Sequence, residues 1–453
     1  MKLVKTVTND VPKDVPKDVT VQGRTIGILG HPWRATVTTT GDVYPWDDAE
    51  AVKWYVAADD RWHIPADEVA VRQRSIDGAP VLETRVRIPG GDVIQRVWVA
   101  TGRLGSSALM MEFENDSPMA IAIAIDRQDL LVSRPVAVRS SAGEWPAPGL
   151  DITHEPTVIP VGHRTKVRAA LGISGSAPEL NIADFADWTA VARGWVSLSE
   201  RASRFTIPDL RDSQRVDELI VVERTEIALN PAPFSDAPDA AVRWLLEERE
   251  LKRMDLKETD LVELSGAVET ISRAAKRGRI AKSDALTGFK AAAYLLGVAQ
   301  ERALVDLRKV VAKIVGSKKT SLMAMLQTGS HDSPDLVGSG VNLIVGEVEN
   351  EFAVMSDDGV ITLLPDGIKP ERLGVQFEVH GIAVGLNHRV SFAVRWHGPN
   401  AAVIWEVSGS DDVELRSGVD ATWSSTNASG EALWRVENVP ETALAVSDDL
   451  SFS

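Results

Sequence analysis

The stretch Val390–Val407, which reads V-S-F-A-V-R-W-H-G-P-N-A-A-V-I-W-E-V, carries the clearest structural signal in the C-terminal part of the chain. Phe392, Val394 and Trp396 occupy every second position, which is the period of a half-buried strand. Gly398–Asn400 then predicts a three-residue reversal, because Gly and Asn tolerate positive φ and Pro does not extend a central strand. The stretch therefore predicts an antiparallel hairpin and, with it, a β-domain.

The N-terminal third of the chain carries the same kind of pattern. Val81–Ile88 alternates, Pro89–Asp92 is a turn sequence and Val93–Ala100 returns, which predicts a second hairpin. Similar short strands recur as far as Ala170. So many strands within about 150 residues indicate a large antiparallel sandwich.

The middle of the chain has helical spacing instead. An apolar stripe spaced by three and four residues is formed by Leu261, Leu264, Val268 and Ile271. Asp184 or Asp187 is expected to cap a first helix, and Ser283–Asp284 a later one. We therefore expect about six helices in this region, since helices average roughly 11–12 residues.

Composition changes mark the boundaries of these regions. The segment Ser317–Gly340 is polar and rich in Gly and Ser, as linkers are, and the strand pattern resumes with a predicted strand at Leu343–Val345. These features predict three domains. They are an N-terminal β-sandwich over 1–180, a helical domain over 181–330 and a C-terminal β-domain over 331–453.

Composition excludes several classes of function. The chain has 453 residues, of which 44% are hydrophobic and 25% charged, as in globular proteins, and its net charge is -16. We expect no nucleic-acid partner, because nucleic-acid binders need clustered cations to displace counterions. Cysteine is absent, which removes disulfides, thiolate catalysis and zinc–cysteine sites.

The termini and hydropathy bear on localisation. The first 20 residues contain no apolar core, so they do not read as a secretory signal. No apolar run approaches the 18 or so residues of a membrane-spanning helix. A cytoplasmic protein without a membrane span is the expectation.

Four motifs together resemble a known family. They are Thr84–Asp92 (T-R-V-R-I-P-G-G-D), Glu112–Pro118 (E-F-E-N-D-S-P), Val191–Trp195 (V-A-R-G-W) and Ser391–Gly398 (S-F-A-V-R-W-H-G). In this order they resemble a group of actinobacterial proteins that look like relatives of the six-hairpin glycosidase superfamily. The resemblance runs over most of the chain and is strongest in the two β-regions.

The resemblance implies a multidomain α and β fold. Its parts would be an N-terminal antiparallel β-super-sandwich, a central helical region of partial α/α hairpins and a C-terminal antiparallel β-sandwich. A complete toroid of helix pairs needs roughly a dozen helices, whereas residues 181–316 have room for about six. The helical region is therefore shortened relative to the family, and its ring would be incomplete.

Glycoside hydrolysis needs two carboxyl groups flanking one bond, about 5–5.5 Å apart for retention or roughly 6.5–9.5 Å for inversion. One of them needs a raised pKa, which burial provides. The helical region offers many acidic residues, although most such residues line solvated helix faces. Glu223 and Glu263 lie next to apolar positions and are the predicted catalytic pair.

The tryptophans are the stronger signal for a ligand. Sugars stack their C–H faces on indole rings, and a partly exposed Trp can serve as the platform. Trp46 and Trp62 lie in polar surroundings, with Asp47 and Asp59 nearby to bond sugar hydroxyls. The alternative is that these indoles fill a sandwich core, as we expect of Trp98 in its alternating strand.

No cofactor or metal site is predicted. His154–Glu155 and His163 are separated by two prolines and do not share a helix face, so they lack the spacing of metal ligands. Neither a phosphate-binding G-x-x-x-x-G-K-[ST] motif nor a nucleophile-elbow serine occurs.

Two hypotheses of different classes follow. The first is a glycosidase-like protein that binds or processes a glucan-like saccharide, and the residues leave open whether it is an enzyme. The second is a non-catalytic scaffold or protein-interaction protein derived from the same fold. It is motivated by the short helical region and predicts a second copy or a protein partner covering the helical face.

Overall fold

The computed structural model describes residues 23–47, 49–103, 105–136, 156–173, 181–208, 215–315, 343–356, 359–409 and 413–436. The chain forms two compact units, Met1–Val196 and Ser197–Ser453. The described residues contain seven α-helices and several antiparallel sheets, which confirms the mixed α and β content predicted above.

The first unit is built from strands. Their bounds are β1 Gly23–Gly27, β2 Arg34–Thr38, β3 Val43–Pro45, β4 Trp54–Ala57, β5 Trp62–His63, β6 Arg72–Ser75, β7 Leu82–Ile88, β8 Gly91–Thr101, β9 Ser107–Asn115, β10 Ile121–Ile125, β11 Leu131–Val132, β12 Thr157–Val161 and β13 Lys166–Gly172. They form three sheets with the strand orders β1-β2-β3, β12-β10-β4-β5 and β11-β13-β9-β8-β7-β6. The sequence also predicts a strand at Val136–Arg139, which beyond its first residue lies outside the described residues.

One hydrophobic core is shared by the three sheets of the first unit. Apolar side chains at alternate positions of each sheet meet in it, among them Val37, Val97 and Ile123. Trp54 and Phe113 pack with their ring centroids 5.6 Å apart. Because fully burying such a side chain contributes about 1.5–3 kcal/mol, this shared core positions the strands that carry the polar faces described below.

The predicted second hairpin is confirmed. Strands β7 and β8 pair antiparallel from Leu82 opposite Val97 to Ile88 opposite Gly91. The reversal is tighter than predicted, since Gly91 already pairs and only Pro89 and Gly90 remain in the turn. Gly90 adopts φ 80°, a conformation that side-chain-bearing residues rarely take.

The helices follow the sheets along the chain. Their bounds are α1 Trp188–Glu200, α2 Val216–Leu229, α3 Pro238–Arg253, α4 Leu261–Lys276, α5 Lys282–Leu296, α6 Glu301–Val315 and α7 Ile344–Phe352. Asp187 caps α1 as predicted, because its carboxylate accepts a hydrogen bond of 2.8 Å from Ala190 N. Helix α3 packs against α2, α4 and α5.

Two local predictions in this region are wrong. Ser283 and Asp284 do not precede α5 as caps, because the helix already begins at Lys282 after Ala281. Leu343–Val345 is not a strand but the start of α7. The reason is visible in the burial pattern, since Val345, Glu349 and Phe352 are buried at helical spacing.

The described residues of the second unit form two sheets in addition to the helices. Their strands are β14 Arg204–Thr206, β15 Ala353–Met355, β16 Ile361–Leu363, β17 Phe377–Val384, β18 His388–His397, β19 Asn400–Ser408, β20 Leu415–Ser417, β21 Ser424–Ser425 and β22 Ser429–Arg435. The sheet orders are β14-β17-β18-β19-β22 and β15-β16-β20-β21, in which β16 and β20 pair in parallel. Rings of Phe205, Phe352, Phe377 and Phe392 pack together beneath the larger sheet.

The hairpin predicted from Val390–Val407 is confirmed as β18 and β19. Its turn again has two residues rather than three, because Asn400 pairs with His397. Gly398 takes φ 57° there, which is typical of tight hairpin turns. Within the described part of the chain, no helix combines the length and apolar character needed to cross a bilayer.

Candidate functional site

A surface that combines polar and aromatic side chains lies along β3 in the first unit. Asp42, Tyr44 and Trp46 are half-buried and alternate with the buried Val43 and Pro45. Successive side chains of a strand point to opposite faces. Asp42, Tyr44 and Trp46 therefore share the face that is turned away from the core. We call Asp42, Tyr44 and Trp46 the aromatic strip.

Strand β2 fixes the orientation of the indole in the aromatic strip. Thr36 lies directly opposite Tyr44, and its Oγ1 accepts a hydrogen bond of 2.9 Å from Trp46 Nε1. The backbone N–H of Trp46 donates to the Arg34 carbonyl oxygen at 2.9 Å. The one polar atom of the indole is therefore bound within the protein, and what remains exposed of the ring is apolar surface.

The Arg34 side chain holds the neighbouring loop in place. Its Nη1 donates to the carbonyl oxygens of Ile28 and Trp33, at 3.1 and 2.8 Å, and to that of His31. Burial lowers the pKa of Arg34. We assign this guanidinium a structural role, since its donors are directed to the chain itself.

Asp42 supplies an unusual carboxyl group to the aromatic strip. Burial raises its pKa to about 6, although the charge of Lys53 and a hydrogen bond from the Trp54 backbone N–H act in the opposite direction. Burial and the charge of Asp42 also raise the pKa of Tyr44. Near neutral pH this carboxyl group can accept hydrogen bonds, and below about pH 6 it also donates one.

The predicted binding residues fall into two groups. Trp46 lies in the aromatic strip and Asp47 follows it, exposed to solvent, on the three-stranded side of the unit. Trp62 and Asp59 belong to the β4–β5 hairpin of the four-stranded sheet, where Trp62 pairs with Ala57 and is half-buried. Trp46 with Asp47 and Trp62 with Asp59 therefore belong to the surroundings of two different sheets. A saccharide-binding role for either pair stays a prediction.

The predicted catalytic residues have different surroundings. Glu223 is buried on α2, and its Oε2 accepts a hydrogen bond of 2.8 Å from Val345 N in the first turn of α7. A carboxylate at that position stabilises the helix dipole and satisfies a free N–H group. Glu263 lies in the first turn of α4, half-buried, after the capping residue Asp260.

These surroundings give the two glutamates different roles in the fold. The contact with Val345 gives Glu223 a structural role, because it joins α2 to the start of α7. Glu263 follows a cap on another helix, where an acidic side chain stabilises the first turn. The pairing of these residues as acid and base therefore stays a prediction.

An ionic cluster lies beside Glu223 in the second unit. Arg224 and Glu250 are fully buried and pair at 3.2 Å, and Arg253 pairs with both Glu250 and Glu349. Burial would raise the pKa of Glu250, but the arginine charges around it outweigh burial and hold that pKa well below its usual range. A general acid needs the opposite shift, so this cluster ties α2, α3 and α7 together.

Sequence reasoning missed the part played by Asp42. Its signal was the alternation Asp42-Val43-Tyr44-Pro45-Trp46, which has the period of a strand with one polar face. Within the described ranges no group of three or more His, Asp or Glu side chains has the geometry to hold a metal ion. Comparison with protein-family models and with curated proteins finds no match to this chain.

Proposed function

We propose that the chain binds a glucan-like saccharide on the aromatic strip. The observation that carries this proposal is the Trp46 indole, whose Nε1 is bound to Thr36 while part of its ring faces solvent. Sugar rings present apolar C–H faces that stack on such a surface. Tyr44 extends the platform, and Asp42 offers a carboxyl group to a sugar hydroxyl.

Binding is better supported than hydrolysis. Hydrolysis needs two carboxyl groups at a defined separation, and the aromatic strip contributes one with a raised pKa. Asp47 follows the strip in sequence, but its carboxylate is exposed rather than held opposite Asp42. The sandwich architecture of the glycosidase-like family belongs to the same proposal, and the core shared by three sheets supports it.

The proposal is tested by calorimetric titration of linear gluco-oligosaccharides into the full chain. Trp46→Ala is expected to weaken binding tenfold or more, because loss of a stacking surface worth about 1.4 kcal/mol corresponds to that factor. Trp62→Ala is the matched control, since Trp62 is also half-buried but lies on another sheet. Binding that survives Trp46→Ala and is lost in Trp62→Ala would move the site to the β4–β5 hairpin.

Catalysis is tested separately by release of reducing sugar from the same oligosaccharides. Under the enzymatic form of the proposal, Glu223→Gln or Glu263→Gln abolishes turnover. The amide introduced by Glu223→Gln keeps a carbonyl oxygen for Val345 N but loses the negative charge at the start of α7, so stability should fall by about 0.3–1 kcal/mol without loss of folding. If the chain binds the oligosaccharides but releases no reducing sugar from them, it is a saccharide-binding protein and the enzymatic form of the proposal fails.

The scaffold hypothesis is favoured by one observation in the helical region. Leu261 and Val262, at the start of α4, are 50% and 80% exposed. Exposed apolar side chains of this kind mark interaction surfaces when they are contiguous. Light scattering tests the scaffold hypothesis, and the double substitution Leu261→Ser with Val262→Ser should convert an oligomer into a monomer. The hypothesis is contradicted if the wild-type chain is already a monomer and no partner is recovered with it in a pull-down.

A further inference from the structure

A second surface of the first unit carries a different chemistry. It is the side of the six-stranded sheet β11-β13-β9-β8-β7-β6 that is turned away from the core, and we call it the basic face. Its charged members on the two central rows are Arg72, Arg74, Arg85, Arg96, Lys166, Arg168, Glu83, Glu112 and Glu114. The residues that alternate with them, such as Val97 and Met111, lie in the core.

One row of the basic face alternates in charge across five strands. Its members are directly opposite one another and are, in order from β6 to β13, Arg74, Glu83, Arg96, Glu112 and Arg168. The paired atoms are close, with 2.9 Å between Arg96 Nε and Glu83 Oε2 and 2.7 Å between Arg168 Nε and Glu112 Oε2. Opposite charges on directly facing strand positions stabilise the pairing.

The charged side chains of the basic face lie at different depths, and Trp188 covers Arg96 and donates to Glu112. Glu83 and Glu112 are 2% and 0% exposed, whereas Arg74 and Lys166 are 65% and 57% exposed in their side chains. Burial would raise the pKa of Glu83, but the hydrogen bond and charges of its arginines outweigh burial and lower it. Glu83 therefore stays ionised beneath the more exposed Arg74 and Arg85.

The cations outnumber the carboxylates. The two central rows hold six cations and three carboxylates. Arg87 and Asp92 add a neutral pair, and Asp187 lies within electrostatic range of Arg168. Even with these included, positive charge remains in excess among the described residues of this face, in a chain whose net charge is -16.

One pair of facing positions on the second row points to an external anion. Arg72 and Arg85 are directly opposite each other on β6 and β7, and like charges at such positions destabilise a strand pair. Arg85 pairs with Glu83 at 2.9 Å, while Arg72 is exposed. An anionic group bound between the two guanidinium groups would remove this repulsion, and guanidinium pairs bind sulfate or carboxylate oxygens in a bidentate manner.

We propose that the basic face binds an anionic polysaccharide. The cations lie on β6, β7, β8 and β13, within a span of five neighbouring strands that measures about 19 Å at a strand spacing near 4.8 Å. They lie on a sheet face, whereas small-molecule sites are concave. An extended polymer can neutralise such a row. Nucleic acid has a much denser charge, with one negative charge per about 1.7 Å of duplex, which a chain of net charge -16 repels more strongly.

The polysaccharide site is independent of the aromatic strip. It uses other strands and other residue types, so each of the two proposals can fail while the other stands. Its probes are dextran, carboxymethyl-dextran and dextran sulfate of one chain length, which share a backbone and differ in charge. The full chain is expected to bind both charged polymers at least tenfold more tightly than dextran, and added salt should weaken that binding.

The test variant is the double substitution Arg72→Ala with Arg85→Ala. The buried Glu83 carboxylate keeps ion-pair partners in this variant, because Arg74 and Arg96 still pair with it. The control is Arg279→Ala with Arg302→Ala, which removes two equally charged and exposed residues from the second unit. Affinity for dextran sulfate should fall at least tenfold in the test variant and stay within twofold in the control.

Three outcomes would overturn the proposal. They are equal losses in the two double variants, unchanged binding in the test variant, and tighter binding of duplex DNA than of dextran sulfate. Trp46→Ala tests whether the two sites are separate, since this substitution should leave dextran sulfate binding unchanged. Melting temperatures of all variants are compared first, so that a loss of folding is not counted as a loss of binding.

Discussion

Two groups of tryptophan in this protein differ in what surrounds their rings. In the aromatic strip, Trp46 is held by one hydrogen bond to Thr36 and keeps part of its ring in solvent. In the second unit, Trp423 lies between Trp405 and Trp434, with ring centroids 5.0 and 5.2 Å away. Anchoring does not separate the two groups, since Trp405 also donates from its Nε1, to the Asn427 carbonyl oxygen at 3.2 Å. The neighbours of each ring separate them: an indole that contacts other indoles serves packing, whereas one beside Asp42 and Tyr44 is suited to a ligand.

The largest effect should come from the packed group. Trp434 is fully buried, so Trp434→Ala is expected to cost about 3–5 kcal/mol in the free energy of unfolding. Its Nε1 has no hydrogen-bond partner within the described residues, so Trp434→Phe, which keeps a ring and loses no such bond, should cost clearly less. Urea unfolding measures both. A loss below about 1 kcal/mol for the alanine variant would show that the packed group does not stabilise its sheet.

A second prediction concerns pH and the aromatic strip. The folded pKa of Asp42 is raised from 3.8 to about 6, so the ionised carboxylate opposes folding above pH 6 and this cost disappears as pH falls below about 4. Asp42→Asn should therefore stabilise the protein at pH 8, on the order of 1–3 kcal/mol, and much less at pH 4. Thermal unfolding at the two pH values tests this. The matched control Asp47→Asn, at an exposed position, should show no such dependence.

The glycine opposite Trp405 offers a third test. Gly430 faces Trp405 on the neighbouring strand, and a Cβ atom there would lie 2.6 Å from Trp405 Cζ2. Gly430→Ala should force the indole to move and cost about 1–3 kcal/mol, as overpacking does. Ser429→Ala, at an exposed position of the same strand, is the control. Equal stabilities in urea would mean that the ring moves aside freely.

The smallest expected effect is at the anchor of Trp46. Thr36→Val keeps the shape of the side chain but removes the hydroxyl that accepts from Trp46 Nε1. We expect a loss of about 0.5–1.5 kcal/mol in stability, and a loss of a few-fold in affinity for gluco-oligosaccharides. Thr39→Val on the exposed turn is the control. An unchanged affinity in calorimetry would show that the indole needs no fixed orientation.

Much of the fold could be predicted from local patterns. The period of two in Val390–Val407 and in Val81–Ala100 predicted both hairpins, since alternation is a property of the sequence itself. Both turns were predicted too long, because the last paired residue depends on the strand register. The strand predicted at Leu343–Val345 was wrong, since three apolar residues fit either period and the buried Glu349 and Phe352 decided for a helix.

The site was less accessible to prediction. The row from Arg74 to Arg168 joins five strands, and its alternation of charge exists only once their registers are set. The raised pKa of Asp42 likewise depends on burial by neighbours that the sequence does not show to be near. Trp46 was named from its polar surroundings alone, and whether it binds a saccharide stays a prediction.

The proposed function depends on the claim that Trp46 binds the saccharide, and the indole N–H resonances of the 13 tryptophans report on each ring separately. These signals would be followed by NMR while a linear gluco-oligosaccharide is added, with Trp46 assigned through Trp46→Phe. We predict that the Trp46 signal shifts progressively and saturates while those of Trp405 and Trp434 stay in place. A spectrum that does not change, or one in which Trp62 shifts and Trp46 does not, would contradict the claim.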